Sequence, residues 1–185
     1  MEIISTTISG CVQIFPKIFT DPRGAFIKTF HREVFVAWGL DTRFVEEYYS
    51  VSRKGVLRGL HFQIPPMDHT KLVYCINGEV IDAIVDLRIG SPTYGQHALF
   101  ELRGDIANML YIPPGLAHGF YTKSDKAIMM YKTTTVYSPE HDRGILWSSV
   151  GIPWPDERPV VSARDKAFPP LTTFLSPFTY TQNHG

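Results

Sequence analysis

The amino-acid sequence predicts an all-β fold, an antiparallel barrel or double-sheet jelly roll with short peripheral helices. Short runs of β-branched and aromatic residues recur along the chain between turn signals, which is typical of many strands. The 185 residues include 14 glycines and 14 prolines, the residues that tight turns require. One segment, early in the chain, has a convincing helical pattern. With 44% hydrophobic residues, the chain is expected to form a single domain spanning 1–185.

The N-terminal segment contains the early strands and the helix. Strands are predicted at Val12–Phe15, where apolar residues alternate before a proline, and at 25–30, after the turn sequence Asp-Pro-Arg-Gly. From 31 to 39, apolar residues spaced for one helical face end at a glycine, which predicts a short helix. A further strand is expected at 44–52.

The stretch 55–71, GVLRGLHFQIPPMDHTK, is the segment around which the rest of the chain is arranged. It predicts a strand that ends at the Pro-Pro pair, because proline cannot donate to a ladder. Strict alternation puts Leu57, Gly59 and His61 on one face and Arg58, Leu60 and Phe62 on the other. A bulge at Gly59 is the alternative. Taken alone, the segment is typical of an edge strand whose histidine is satisfied in or near the core.

The rest of the chain predicts more strands and a tail. The predicted strands are 72–76, 80–87, 97–102, 109–112, 118–122 and 127–136. Asn77-Gly78, the commonest two-residue turn signal, predicts a hairpin between the first two. The segment 123–126 predicts a second hairpin between the last two. From Pro153 a proline-rich tail, about 153–185, is expected on the surface, apart from a short helix after Ser162.

Composition excludes several classes of partner. Lysine plus arginine number 18, as do aspartate plus glutamate, so neither nucleic acid nor an anionic membrane is expected as a partner. The sequence has no apolar run of the roughly 20 residues that span a bilayer and no signal-peptide pattern, so a cytoplasmic location is expected. Cys11 and Cys75 lie in apolar segments, which favours reduced, buried thiols over a bridge between them.

Six polar side chains are candidates for chemistry: Arg58, His61, Lys71, His118, Tyr131 and Asp165. Each also has an ordinary structural interpretation, such as a satisfied core histidine or a packed tyrosine. Metal-dependent barrels of this type usually need two closely spaced histidines plus a carboxylate. His69 comes eight residues after His61, so the His-x-His pattern is missing and no metal is expected. Phosphate-binding glycine loops and motifs for a covalent nucleophile are also missing.

Four runs carry a resemblance to a known family: GVLRGLHFQ, KLVYCINGEVIDAIVDLRIGSPTYGQ, YIPPGLAHGF and MYKTTTVYSPEHDRGILW. Together they closely resemble the dTDP-4-dehydrorhamnose 3,5-epimerase family, from about residue 16 to residue 166. The resemblance implies a cupin-type antiparallel jelly-roll barrel that uses no metal and no cofactor. It also implies a homodimer with a shared active site, which binds a nucleotide-diphosphate sugar in the barrel mouth.

The resemblance implies four catalytic roles. His61 matches the general base that removes a proton from a carbon beside the C4 ketone, a task that suits a neutral imidazole. Asp165 matches the carboxylate that orients this base. Tyr131 matches the acid that returns a proton from the opposite face of the sugar ring. Lys71 matches the cation beside the developing enolate oxygen.

The resemblance also implies a set of substrate-binding residues: Phe19, Arg23, Phe26, Glu46, Tyr48, Arg58, His118 and Tyr137. Arg58 matches the arginine that binds the diphosphate, because a guanidinium fork suits phosphate oxygens. Arg23 and Phe26 match residues that reach the partner subunit's site. The N-terminal strands, about 1–50, are accordingly expected to pack on the partner subunit or to be exchanged with it.

Several positions depart from the family pattern. Glu46-Glu47-Tyr48 stand where the family usually has Gln, an acidic residue and Asn, Lys28 replaces a glutamate, and Val136 replaces a tyrosine. These changes fit either a charge exchange between subunits or a site reshaped for another sugar or nucleotide.

The resemblance predicts 3,5-epimerisation of dTDP-4-dehydro-6-deoxyglucose. The first alternative is epimerisation at C3 or C5 only, or of a sugar on a different nucleotide. A cupin that binds a sugar nucleotide without catalysis is the less favoured alternative.

Overall fold

The computed structural model describes residues 1–181, which form thirteen strands, two short α-helices and one 3₁₀ turn. The strands are β1 (Glu2–Ser5), β2 (Val12–Phe15), β3 (Ile18–Asp21), β4 (Gly24–Ile27), β5 (Glu46–Arg53), β6 (Leu57–Gln63), β7 (Lys71–Asn77), β8 (Glu79–Asp86), β9 (His97–Arg103), β10 (Met109–Ile112), β11 (Leu116–Thr122), β12 (Lys126–Thr133) and β13 (Asp142–Gly144). The helices are α1 (Arg32–Ala37) and α2 (Ala163–Lys166), and the 3₁₀ turn is Leu171–Thr173. In this part of the chain, no helix is long and apolar enough to cross a membrane.

The strands form two sheets and a separate hairpin. One sheet has six strands in the order β1-β2-β10-β7-β12-β5, the other has five in the order β13-β6-β11-β8-β9, and β3 pairs with β4. Val73 and Leu110 of the six-stranded sheet are buried in one cluster with Ile84 and Phe120 of the five-stranded sheet. The two sheets therefore enclose the core, and the predicted all-β jelly-roll class is confirmed.

Both predicted hairpins are wrong. β7 pairs with β10 and β12 in the six-stranded sheet, whereas β8 pairs with β9 and β11 in the other sheet. Asn77-Gly78 therefore carries the chain from one sheet to the other, with Gly78 at a φ of 87°. Residues 123–125 do the same between β11 and β12. The turn residues were recognised correctly, but each strand finds its partners through long-range packing of the core.

The two predicted helices are confirmed. In α1, Phe35 is fully buried and the chain turns at Gly39, which has a φ of 73°. α2 follows Ser162, whose side-chain oxygen accepts a hydrogen bond from the backbone N–H of Asp165. This cap fixes the start of α2, and Asp165 lies in its first turn, buried against the barrel.

The central strand β6 is an interior strand, not an edge, because it pairs with both β11 and β13. Its alternation is interrupted: His61 is opposite His118, but Arg58 is opposite Phe120. Three steps along β6 thus match two along β11, which is a bulge at Gly59-Leu60. Strict alternation was wrong and the bulge was the correct alternative. As a result Arg58 and His61 line the same cavity.

The C-terminal tail is more buried than the sequence predicted. Val161 and Phe178 are buried in it, and the ring of Phe178 lies 5.8 Å from that of Phe62. Residues 182–185 of the predicted tail lie outside the described residues. Cys11 and Cys75 are free and buried in the core, as their apolar neighbours predicted.

Candidate active site

A cavity of about 410 Å³ lies between the two sheets and receives side chains from both. Three of the predicted catalytic residues line it: His61 on β6, Lys71 on β7 and Tyr131 on β12. The predicted binding residues Glu46, Tyr48, Arg58, His118 and Tyr137 line it as well. His61 belongs to the five-stranded sheet, whereas Lys71 and Tyr131 belong to the six-stranded one. The cavity thus has an imidazole on one wall and a phenol and an amine on the other.

His61 is held by a carboxylate behind it. Its Nε2 lies 2.9 Å from Oδ1 of Asp165, whose Oδ2 accepts a hydrogen bond from the backbone N–H of Gly59 at 3.0 Å. Burial acts to raise the pKa of Asp165, but the hydrogen bonds and charge of its neighbours, His61 first, hold that pKa below its usual value. An ionised Asp165 accepts a hydrogen bond from the Nε2–H of His61 and thereby selects the tautomer in which Nδ1 carries the free lone pair.

Tyr131 is almost enclosed, at 7% exposure. Its ring is stacked on that of Tyr48, its cross-strand partner, at 4.8 Å and 14°. Its hydroxyl lies 3.2 Å from Oγ of Ser50. Burial raises the pKa of Tyr131 above its usual value, so the phenol is protonated at neutral pH.

Lys71 is buried and contacts the backbone of His61. Its Nζ donates a hydrogen bond to the backbone carbonyl of His61 at 3.2 Å. Burial lowers the pKa of Lys71 to about 8, an effect that the charges of Asp142 and Asp82 oppose. An ammonium in this position is only partly neutralised by its neighbours and is available to a developing negative charge.

A second histidine–carboxylate pair lies next to the first. Nε2 of His118 is 2.7 Å from Oδ2 of Asp82, and both side chains are buried. The sequence interpretation missed Asp82. The signal that could have found it is a carboxylate flanked by apolar residues in the middle of β8, where an unpaired charge is costly.

Several polar contacts lie among the more exposed residues of the cavity lining. Nε of Arg58 donates to Oγ of Ser52 at 2.9 Å, and a Glu46 oxygen accepts from the backbone N–H of Tyr137 at 2.6 Å. Arg164 and Asp142, which sequence reasoning also missed, form an ion pair of 2.6 Å at the lining.

Glu47, one of the residues in the expected charge exchange with Lys28, has a cationic partner within its own chain. Glu47 forms an ion pair with Lys132 on the neighbouring strand β12. Lys28 is therefore not required to neutralise Glu47.

Three predicted binding residues do not reach this cavity in the single chain. Phe19, Arg23 and Phe26 lie on the β3–β4 hairpin, around a separate hollow. Both aromatic side chains are exposed, and Arg23 pairs with Asp21 at 2.6 Å.

Groups of three or more His, Cys, Asp or Glu side chains that could hold a metal ion do not occur in residues 1–181. His69, the other histidine of the central stretch, contacts Thr135 through Nδ1 at 3.0 Å. It therefore helps to shape the cavity wall, to which it contributes.

Comparison with known proteins identifies the family. The family model described as dTDP-4-dehydrorhamnose 3,5-epimerase matches residues 5–173. The dTDP-4-dehydrorhamnose 3,5-epimerase of Shigella flexneri is 45% identical over 168 residues, covering 89% of this chain and 93% of its relative. The dTDP-4-dehydrorhamnose 3-epimerase of Streptomyces niveus is 38% identical over 169 residues, with 90% and 82% covered.

A solved structure agrees. The dTDP-6-deoxy-D-glucose-3,5-epimerase of Legionella pneumophila, crystallised with dTDP-4-keto-L-rhamnose, superposes with a TM-score of 0.93 at 39% identity. The match covers 97% of this chain and 98% of that one. By sequence over most of its length and by structure, the chain belongs to the dTDP-4-dehydrorhamnose 3,5-epimerase family.

Proposed function

We propose that the protein is an epimerase that inverts C3 and C5 of dTDP-4-dehydro-6-deoxyglucose. The observation that carries this proposal is the pairing of an oriented imidazole on one wall of the cavity with a protonated phenol on the opposite wall. Inversion beside a ketone requires a proton to leave from one face of the ring and another to arrive on the other face. Groups on two facing sheets meet that requirement.

In the proposed reaction, Nδ1 of His61 takes a proton from the carbon next to the C4 ketone. The electron pair of the broken C–H bond forms a double bond to C4, and the π electrons of the ketone move to O4, which gives an enolate. The Lys71 ammonium stabilises the oxygen charge, and it acts in a buried site where such an interaction is stronger than in water. Asp165 keeps the imidazole in one tautomer and stabilises the imidazolium that forms.

Tyr131 then protonates the carbon from the opposite face, which inverts the centre. The ketone flanks two carbons, so the same groups can act at C3 and at C5 after the ring shifts. Arg58 on the cavity lining would bind the diphosphate.

Assembly is part of the proposal. Phe19 and Phe26 are 51% and 63% exposed on the β3–β4 hairpin, an arrangement that suits a hairpin covered by another subunit. We infer a homodimer in which this hairpin brings Arg23 and Phe26 to the partner's cavity. Light scattering at micromolar concentration should give a dimer, and a fully active monomer would contradict the shared site. The free thiols Cys11 and Cys75 suit the reducing cytoplasm, which is the proposed location.

One experiment tests the chemistry. The protein is incubated with dTDP-4-dehydro-6-deoxyglucose in D₂O, and deuterium at each carbon is followed by NMR. Incorporation at C3 and C5 with inversion is expected. A cupin that only binds the sugar nucleotide leaves every C–H unexchanged.

Epimerisation at one carbon is the second candidate. Val136 is half-exposed where the family pattern has an aromatic side chain, and Tyr48 covers part of the cavity wall. The relative from Streptomyces niveus is named a 3-epimerase. Deuterium at one carbon alone would favour this alternative. A panel of 4-keto sugars on other nucleotides, compared by kcat/KM, tests the preference for dTDP.

A further inference from the structure

In the proposed mechanism, Tyr131 gives up its proton in each inversion and must be reprotonated before the next one. Each inversion would consume the Tyr131 proton and leave a phenolate in a site where burial disfavours charge. Two inversions per substrate would require the proton to be replaced twice. Tyr131 is nearly enclosed. Its ring is stacked on that of Tyr48, and its ring centroid lies 6.2 Å from that of His118 in an edge-to-face arrangement.

One side chain forms a hydrogen bond with this hydroxyl. Among the described residues, the hydrogen-bond partner of Oη of Tyr131 is Oγ of Ser50, at 3.2 Å, and either oxygen can be the donor. Ser50 lies on β5, which pairs along its whole length with the strand that bears Tyr131. It is only partly buried and lines the cavity, so water can reach it.

We propose that Ser50 is a proton-relay residue that reprotonates Tyr131 from water after each transfer to the substrate. This inference rests on the proposed function. Ser50 acts through Tyr131 and positions it, and it does not touch the reacting carbon.

The proton balance closes without another reagent. The O–H bond of Tyr131 breaks as the new C–H bond forms, and the oxygen keeps the electron pair. The Ser50 hydroxyl then gives its proton to that oxygen while it takes one from a water molecule, in a concerted step that avoids a free alkoxide. The proton that His61 removed returns to solvent and neutralises the hydroxide. Over one inversion, solvent gains one proton and supplies one.

The neighbouring serine on the same strand provides a matched control. Ser52 has the same hydroxyl, but it accepts from Nε of Arg58 and is not bonded to Tyr131. Loss of the Ser50 hydroxyl should therefore slow the reprotonation of Tyr131. Loss of the Ser52 hydroxyl should leave the Arg58 side chain less well positioned and raise KM.

The test is rapid-quench kinetics in D₂O with substrate in excess of enzyme, on wild type, Ser50→Ala, Ser50→Thr and Ser52→Ala. Ser50→Ala should give a burst of about one deuterated centre per active site, followed by a steady state slower by about 10²-fold, the usual scale of a proton-transfer contribution. Wild type, Ser50→Thr and Ser52→Ala should be linear from the start.

The outcomes separate the two proposals. A linear time course for Ser50→Ala, at normal or reduced rate, would overturn the relay, because a purely orienting serine slows the first turnover as much as the later ones. A burst in Ser50→Thr would count against it equally. If wild type incorporates no deuterium, the proposed function is refuted and the relay with it.

Discussion

Two histidine–aspartate pairs lie side by side in this barrel, and they differ in how far they are exposed to solvent. His61 and His118 are opposite one another on β6 and β11. Their distances to Asp165 and Asp82 are similar, 2.9 and 2.7 Å. The side chain of His61 is 29% exposed to the cavity, whereas that of His118 is 5% exposed.

The carboxylates differ more than the imidazoles. Asp165 accepts from His61 and from the backbone N–H of Gly59, and its pKa is lowered in spite of burial. Burial raises the pKa of Asp82 more than the charge and hydrogen bond of His118 can offset. Within the described residues, Oδ1 of Asp82 has no hydrogen-bond partner.

The difference shows that a histidine–aspartate pair can serve in catalysis or in structural support, and that the solvent exposure of its two side chains decides which. An ionised carboxylate that accepts several hydrogen bonds holds a partly exposed imidazole in one tautomer and one orientation. A carboxylate with one partner in an apolar interior holds that partner in place and makes its loss costly. The first pair is therefore assigned to proton abstraction and the second to support of the cavity wall.

The largest expected effect separates the two histidines by activity. His61→Ala should abolish deuterium exchange and epimerisation, a loss of about 10² to 10⁴-fold or more, because it removes the base. His118→Ala removes the same side chain one strand away and should retain exchange, at a lower rate. Both rates are measured by NMR in D₂O. Equal losses in the two variants would contradict the distinction, and near-normal turnover by His61→Ala would refute the base assignment.

The second prediction concerns stability, and here the substitution of His118 should have the larger effect. His118→Ala leaves Asp82 buried without its partner and should lower the free energy of unfolding by about 3 kcal/mol. His61→Ala should change it by about 1 kcal/mol or less, because Asp165 keeps its hydrogen bond from the Gly59 N–H. Urea unfolding of both variants at neutral pH provides the measurement. A larger loss in His61→Ala would reverse the assignment of the supporting pair.

How much of this was visible in the sequence depends on the range of the interaction. The turn at Asn77-Gly78 was readable because its signal is local. The sheet to which each flanking strand belongs was not, because the packing of distant side chains decides it. Asp165 is 104 residues from His61, and its role as the partner of that histidine was predicted only through the family resemblance. Asp82 could have been found, since an aspartate inside an apolar strand needs a partner, but the sequence does not say that the partner is His118.

The smallest effect tests the two carboxylates through pH. The folded-state pKa of Asp165 is lowered, so its stabilising contribution is present above the unfolded value of about 3.9 and is lost as pH falls through the folded pKa. The folded-state pKa of Asp82 is raised, so its contribution is most favourable below about 3.9 and declines as pH rises through the folded pKa.

The substitutions Asp165→Asn and Asp82→Asn should therefore respond to pH with opposite signs. Between pH 3 and pH 6, Asp165→Asn should lose stability relative to wild type, because only the wild type gains from ionisation. Over the same interval Asp82→Asn should gain relative to wild type, because it no longer has a carboxylate that is costly to ionise. The opposite signs of the two changes are the expected result. Urea unfolding at the two pH values measures both differences, and changes of the same sign would mean that solvation does not distinguish the two pairs.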